Sequence, residues 1–251
     1  DLVHFANFNH PVLYRRPFVV TVHDIIMHLF PSGAQKKSKL RQLAYRLTMR
    51  DCRRAKQIIV PSQSTKNDLV KLLKFPTDKI AITPEGSEGL FRVHTEREKL
   101  AIRDRLKLPK NHLLFVSRWE EYKGLPVLLQ AYDELIKQFP GLGLVICGRP
   151  SPQNPAVAKL VADSQLKHDK IVTPGFVSDE DLAAIYAAAS VYVHPSLYEG
   201  FGIMILEAFA SGVPVVTSNT SSLPEVVGDA GILVDPTDSI ELTNKLAHLL
   251  S

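Results

Sequence analysis

The sequence predicts an α/β protein in two parts, a doubly wound domain over its second half and a smaller α/β domain before it. Three observations carry this reading. From residue 113 onward, short β-branched runs alternate with helical segments, as a parallel sheet with crossover helices requires. The first hundred residues repeat that alternation more thinly. Between the two lies a charged helical stretch from about His94 to Leu108, closed by Pro109, where a linker belongs. The boundary is therefore placed near residue 108, dividing the chain into 1–108 and 109–251.

Taken in order, the first part offers strands at LVHFA (2–6), FVVTVHD (18–24), QIIVPS (57–62) and KIAITPEG (79–86). Its basic stretch from Lys36 to Lys56 holds nine Lys or Arg against the single acid Asp51. Leu40, Leu43, Ala44 and Leu47 recur there at helical spacing, predicting an amphipathic helix with a positive outer face. Such a helix is either a solvated surface or a contact for an anionic membrane or an anionic acceptor. The second part offers strands at 113–117, 142–148, 170–175, 191–195, 213–218 and 231–235, with helical patterns between them and a last helix from Ser239 to Leu250. Ser178 and Asp181 have the spacing of a capping box. Ligands of a doubly wound domain bind beyond the carboxyl ends of its strands, so the loops there hold the candidate site.

Composition narrows the classes of function. A net charge of +4 is too mild for a dedicated nucleic-acid binder. No apolar run reaches the ~18 residues of a membrane span, and the start lacks signal-peptide order, so a cytoplasmic protein is expected, with any membrane contact peripheral and at the inner face. Cys52 and Cys147 lie far apart inside predicted elements, which suits a reducing compartment. No CxxC pair, HExxH or carboxylate-rich loop points to a metal, and neither GxGxxG after a first strand nor a Walker sequence is present. The chain begins at Asp1 with methionines only at 27, 49 and 204, so a trimmed or partial product is expected.

The most informative stretch is SLYEGFGIMILEAFASGVPVV. A strand ends at Pro195, a loop with Glu199, Gly200 and Gly202 follows, and an apolar helix opens near Ile203. Glycines at such a turn admit a ligand close to the backbone, and the free N–H groups of the first helical turn form an anion site. Glu199 before the helix and Glu207 in its second turn then reach one crevice from different heights. A carboxylate accepts two hydrogen bonds side by side, which suits the paired hydroxyls of a sugar. The alternative, acids that merely complement the helix dipole, leaves the two glycines unexplained. In VSRWEEYKG, Arg118 and Lys123 follow the first strand of the domain and supply the fork and the point charge that a diphosphate requires.

The runs TVHDIIMHLFP and AITPEGSEGLF, the Arg118 and Lys123 loop, and the long stretch from PGFVSDEDL to GILVDP together resemble the retaining GT-B glycosyltransferases of family 4. The resemblance covers essentially the whole chain, and its most specific element is the pair Glu199 and Glu207 with seven residues between them. It implies a fold of two Rossmann-like domains, the first incomplete, and a hexosyltransferase that uses a nucleotide-sugar donor, no metal and no cofactor. By the same resemblance, Glu199 faces the donor sugar and Glu207 holds the ribose. Arg118 and Lys123 bind the diphosphate, assisted by Gly200, Phe201, Gly202 and Ile203, and Val177 lies where the base docks. His23 matches a residue that enters the cleft near the reacting sugar, with Asp24 beside it a weaker candidate.

Resemblance to bacterial members favours mannose from GDP-mannose, passed with retention to a sugar, lipid or polysaccharide acceptor; a nucleotide-sugar-binding scaffold without transfer is the alternative. The chain departs from the family pattern in lacking the first strand–helix units and the last helices, with Ser117 for a frequent glycine and Met204 for a common proline. A shortened first domain exposes sheet edge, which invites homo-oligomers.

Overall fold

Strands that are apolar on both faces must be covered on both, and the second half of the chain shows how. In the computed structural model, which describes residues 1–31 and 38–251, β5 (His112–Val116) sends Leu113 and Phe115 to one buried layer and Leu114 to the other. The same alternation runs through β6 (Gly143–Cys147), with Leu144 and Ile146 opposite Val145 and Cys147. A period of two buried on both sides is the mark of a parallel sheet between helical layers.

The first unit is formed by Asp1–Glu85 together with Glu199–Phe201. Its sheet is parallel, in the order β1 (Val3–Phe5), β2 (Phe18–Thr21), β3 (Gln57–Val60), β4 (Ile80–Ile82). Val20, Val22, Ile58 and Val60 are fully buried at its centre. Among the described residues its helices are α1 (Ile26–Leu29), α2 (Lys39–Cys52) and α3 (Gln63–Leu73). The Ser38 and Ser62 hydroxyls cap α2 and α3 by accepting from the N–H groups of Arg41 and Thr65.

Helix α2 corrects one sequence expectation. The expected apolar face turns outward, with Leu40, Leu43 and Leu47 exposed at 75%, 52% and 47%. The core instead takes Tyr45, Met49 and Cys52, a second stripe at helical spacing. Buried beside them, His10 contacts the Phe8 carbonyl through Nδ1 at 2.8 Å and Asp51 through Nε2 at 3.0 Å, tying the β1–β2 loop to this helix. The Cys52 thiol lies 3.8 Å from His10, and burial pushes it up to about 12, which disfavours the thiolate. Lys36 and Lys37, the start of the basic stretch, lie outside the described residues. Among the described residues no helix is long and apolar enough to cross a membrane.

The second unit comprises Gly86–Tyr198 and Gly202–Ser251. Its sheet of six parallel strands runs β7 (Ile171–Val172), β6, β5, β8 (Val191–His194), β9 (Val215–Ser218), β10 (Ile232–Val234), the Rossmann order. One face is covered by α5 (Leu125–Gln138), α6 (Pro155–Lys167) and α10 (Ser239–Leu250). The other is covered by α4 (Glu96–Leu106), α7 (Asp179–Ala188), α8 (Ile203–Ala210) and α9 (Leu223–Val227). The stretch expected to be a linker therefore packs as part of this unit. Ile102 and Leu108 are buried in its core, Arg103 donates to the Ala188 carbonyl at 3.0 Å, and Arg105 pairs with Asp181.

That last pair explains a missing half-bond. Ser178 caps α7 through the Asp181 N–H, but the Asp181 carboxylate goes to Arg105, so only half of the expected capping box forms. The full reciprocal box stands at Thr95 and Glu98, at the start of α4.

Candidate functional site

In the second sheet the chain order reverses between β5 and β8, because β6 and β7 extend the sheet one way and β9 and β10 the other. The loops leaving the carboxyl ends of β5 and β8 flank that switch point, where doubly wound sheets bind ligands. These are the two loops singled out by the sequence.

The β5 loop is built to hold its shape. Trp119 N–H donates to the Arg149 carbonyl at 3.1 Å, and the Glu120 carboxylate, 4% exposed, accepts from the Ser151 hydroxyl at 2.6 Å and from the Asn154 amide. A 3₁₀ turn over Glu121–Lys123 ends at Gly124, whose φ of +75° favours glycine. A Cβ at Gly124 would fall 1.8 Å from the Pro195 carbonyl oxygen, so glycine also sets how closely the two loops approach. Lys123 is buried at 8% exposure, its Nζ 5.1 Å from the centre of the Tyr122 ring, while Arg118 is exposed.

The β8 loop is tied directly to the first. Leu197 N–H donates to the Tyr122 carbonyl at 2.7 Å, and the Ser196 hydroxyl reaches the same oxygen at 3.2 Å. Thr220 braces the loop from behind through the Leu197 carbonyl at 3.2 Å. The loop enters α8 through Gly202, at φ +99°, a glycine that brings no side chain of its own to cap that end. Ile203 begins this helix and Glu207 sits half-buried in its second turn. Burial raises the Glu207 carboxyl above its usual range; the Tyr186 hydroxyl works against this, while the charges of Glu88 and Asp179 add to it.

Beyond β7, Val177 is half-buried. Its neighbour Phe176 is 78% exposed, with the Arg149 guanidinium 4.8 Å from the ring centre. Neither Arg149 nor Glu120 was singled out from the sequence. An acid in a tandem pair reads as a solvated loop residue, and nothing in the spacing tells that Glu120 is buried.

His23, Asp24, Glu199, Gly200 and Phe201 belong by packing to the first unit, whereas Arg118, Lys123, Val177, Gly202, Ile203 and Glu207 belong to the second. Within the first unit the Gly200 carbonyl accepts from the Ser62 hydroxyl at 2.6 Å and the Thr65 hydroxyl at 3.0 Å. A Cβ at Gly200 would lie 2.0 Å from the His23 carbonyl oxygen, so this glycine too is required by a close approach. Glu199 is buried at 5% exposure. The His23 ring contacts Glu85, an acid in the run AITPEGSEGLF to which the sequence assigned no role.

Residues 95–251 match the family model described as Glycosyl transferases group 1, and residues 1–87 match that described as Glycosyltransferase Family 4. This chain belongs to the group 1 glycosyl transferases. As a family member it is 34% identical over 254 residues to O-antigen chain mannosyltransferase B of Escherichia coli, covering 99% of this chain and 64% of that protein. It is 27% identical to the serotype-specific mannosyltransferase WbdA of Escherichia coli, over 93% of this chain and 29% of that one. The chain thus spans less than two thirds of the length of these curated relatives. Its fold is the GT-B fold of solved glycosyltransferases. Anabaena Alr3699/HepE in complex with UDP-glucose superposes with a TM-score of 0.79 at 22% identity, over 94% of this chain and 63% of that chain. WaaG, a glycosyltransferase involved in lipopolysaccharide biosynthesis, superposes with a TM-score of 0.75 at 17% identity, over 99% and 68%.

Proposed function

We propose that this group 1 glycosyl transferase moves a hexose, mannose from GDP-mannose first, from a nucleotide sugar to a sugar, lipid or polysaccharide acceptor with retention at the anomeric carbon. The observation that carries the reading is the join between the two switch-point loops. The bond from Leu197 N–H to the Tyr122 carbonyl, at 2.7 Å, holds the loop of Arg118 and Lys123 against the turn that opens α8. In this reading Arg118, Lys123 and the N-terminal end of α8 serve one crevice, the arrangement a pyrophosphate requires.

The chemistry follows from where charge develops. As the glycosidic bond breaks, negative charge builds on the departing nucleoside diphosphate, and in this reading Arg118, Lys123 and the α8 N–H groups receive it. The acceptor hydroxyl attacks from the same face, and the leaving phosphate takes its proton. Glu199 faces the sugar and Glu207 holds the ribose hydroxyls in this reading. The likeness to two mannosyltransferases supports mannose, and HepE, whose structures hold UDP, glucose and UDP-glucose, supports a nucleotide-sugar donor.

Calorimetric titration with GDP-mannose and with UDP-glucose tests the donor, and transfer of labelled mannose tests the enzyme. GDP-mannose is expected to bind the tighter of the two and to be consumed. Absence of binding by either at millimolar concentration would overturn the donor site; binding without transfer or hydrolysis would leave a nucleotide-sugar-binding module.

A further inference from the structure

His23 follows β2 with both ring nitrogens committed to acceptors. Its Nδ1 lies 2.8 Å from Glu85 Oε1, and its Nε2 lies 3.0 Å from the Ala6 carbonyl oxygen. An ionised carboxylate and a backbone carbonyl accept hydrogen bonds and cannot donate them. Either neutral tautomer would satisfy one contact and set lone pair against lone pair in the other. Only the imidazolium donates to both.

We propose that Glu85 is a positioning residue that holds His23 as a doubly donating imidazolium, so that the ring serves the transfer as a fixed positive charge and not as a base. The second half of this statement rests on the function proposed above; the first half does not. With one nitrogen on Glu85 and the other on Ala6, neither is open to accept a proton from an acceptor hydroxyl. A fixed cation has a use in a reaction that expels a dianionic leaving group.

The surroundings agree in sign. The hydrogen bond to Glu85 raises the His23 value most, against a lowering from partial burial, and the Ala6 carbonyl and the charges of Glu85 and Asp24 raise it further. Asp24 is held by its own loop, its Oδ1 accepting from the Ile26 N–H at 2.8 Å. Glu199 is the remaining acid to consider, one residue from the Gly200 that packs against the His23 carbonyl. Side-chain exposures of 47% for His23 and 30% for Glu85 keep the pair in contact with water, so the contact responds to salt. A raised value means that the cation persists to higher pH. As pH rises through that value, one N–H is lost and one of the two contacts becomes repulsive.

The test uses the full chain, ¹⁵N-labelled, with the His23 ring assigned by loss of its signals in His23→Gln. Both ring nitrogens are expected to show the shifts of an imidazolium below the transition, and the transition is expected above that of a free histidine. In Glu85→Gln, which keeps an acceptor but removes the charge, the transition should move to lower pH, and in Asp24→Asn it should move less. A thermal melt checks that each variant is folded. Neutral-tautomer shifts in the parent, or a His23 transition unmoved in folded Glu85→Gln, would overturn the pairing, whatever the activity.

The role in transfer is read separately. The alkaline limb of kcat should move to lower pH in Glu85→Gln in step with the NMR transition, with KM for the donor held. Glu85→Ala, which loses position as well as charge, should lower kcat by about a hundredfold. A moved NMR transition with an unmoved alkaline limb would overturn the role in transfer. If neither parent nor variant transfers sugar, the functional proposal fails while the ring titration still decides the pairing.

Discussion

A carboxylate that grips two hydroxyls does so best when ionised, and Glu207 sits where ionisation is disfavoured. Its value is raised by burial first, with Tyr186 opposing and Glu88 and Asp179 adding, so the protonated fraction grows as pH falls through that raised value. Donor affinity is therefore expected to weaken over the same window, because a protonated carboxyl gives up acceptor capacity on one oxygen. In Glu207→Gln the donor should bind about tenfold more weakly at neutral pH, the loss expected for a hydrogen bond to a charged group, and this acid dependence should vanish. The fold should not suffer. A carboxyl with a raised folded value stabilises the protein below its unfolded value and loses that contribution as pH rises through the folded one, so a residue that stays neutral removes a cost at neutral pH. Calorimetry with the donor from acid to neutral pH, with a denaturant curve for each form, makes the measurement. A Gln variant that binds like its parent, or keeps the acid dependence, would remove Glu207 from the ribose.

At the scale of elements, most boundaries were legible because period and punctuation agree. Among the described residues, nine of the ten strands lie within the β-branched runs and β5 starts one residue early, at His112, while the last helix forms over Ser239–Leu250 as expected. The face of α2 was not legible, and the reason is particular. Leu40, Leu43 and Leu47 and the set Tyr45, Met49 and Cys52 both recur at helical spacing, so periodicity fixes the helix but not which stripe turns inward. The core took the aromatic and sulfur-bearing stripe and left the leucines in water beside Lys39, Arg41, Arg46 and Arg50. Exposed leucines among cations complement an anionic lipid surface, and we propose that α2 rests on one. The chain should sediment with vesicles of phosphatidylglycerol and phosphatidylcholine, less so in high salt, and not with phosphatidylcholine alone. Leu43→Glu with Leu47→Glu should weaken that binding by at least about tenfold. Equal sedimentation with neutral vesicles, or no loss in the double variant, would leave α2 a solvated helix.

For the molecule as a whole, the alternation of runs and helices gave two parallel α/β units, and the Glu-Gly-Phe-Gly turn gave the loop at the switch point. What stayed hidden were contacts between residues distant in sequence. No local pattern says that α4 packs on α7, that Glu199–Phe201 groups with the first unit, or that Glu85 meets His23. Another such hidden feature governs acid stability. His112 opens β5, the strand at the centre of the larger sheet, and is fully buried. Its Nδ1–H donates to the Pro109 carbonyl at 2.8 Å, while Nε2 has no partner among the described residues. The ring is thus held neutral, and a second proton would place a charge in the core. Burial accordingly pulls it down to about 4, with the Pro109 carbonyl opposing and the positive Arg103 adding to the fall. The sign follows from linkage: the unfolded chain takes up this proton first, near 6.5, so the contribution of neutral His112 is complete above that value and is lost as pH falls through about 4. The loss over the whole window amounts to roughly 3 kcal/mol, a large part of the stability of an ordinary domain. Urea midpoints measured at intervals from neutral to acid pH should fall across this window in the parent and fall distinctly less in His112→Gln, which keeps a donor for Pro109 but cannot titrate. Parallel curves for the two proteins would show that another group sets the acid limit, since β5 cannot open without unfolding the sheet that carries the proposed donor site.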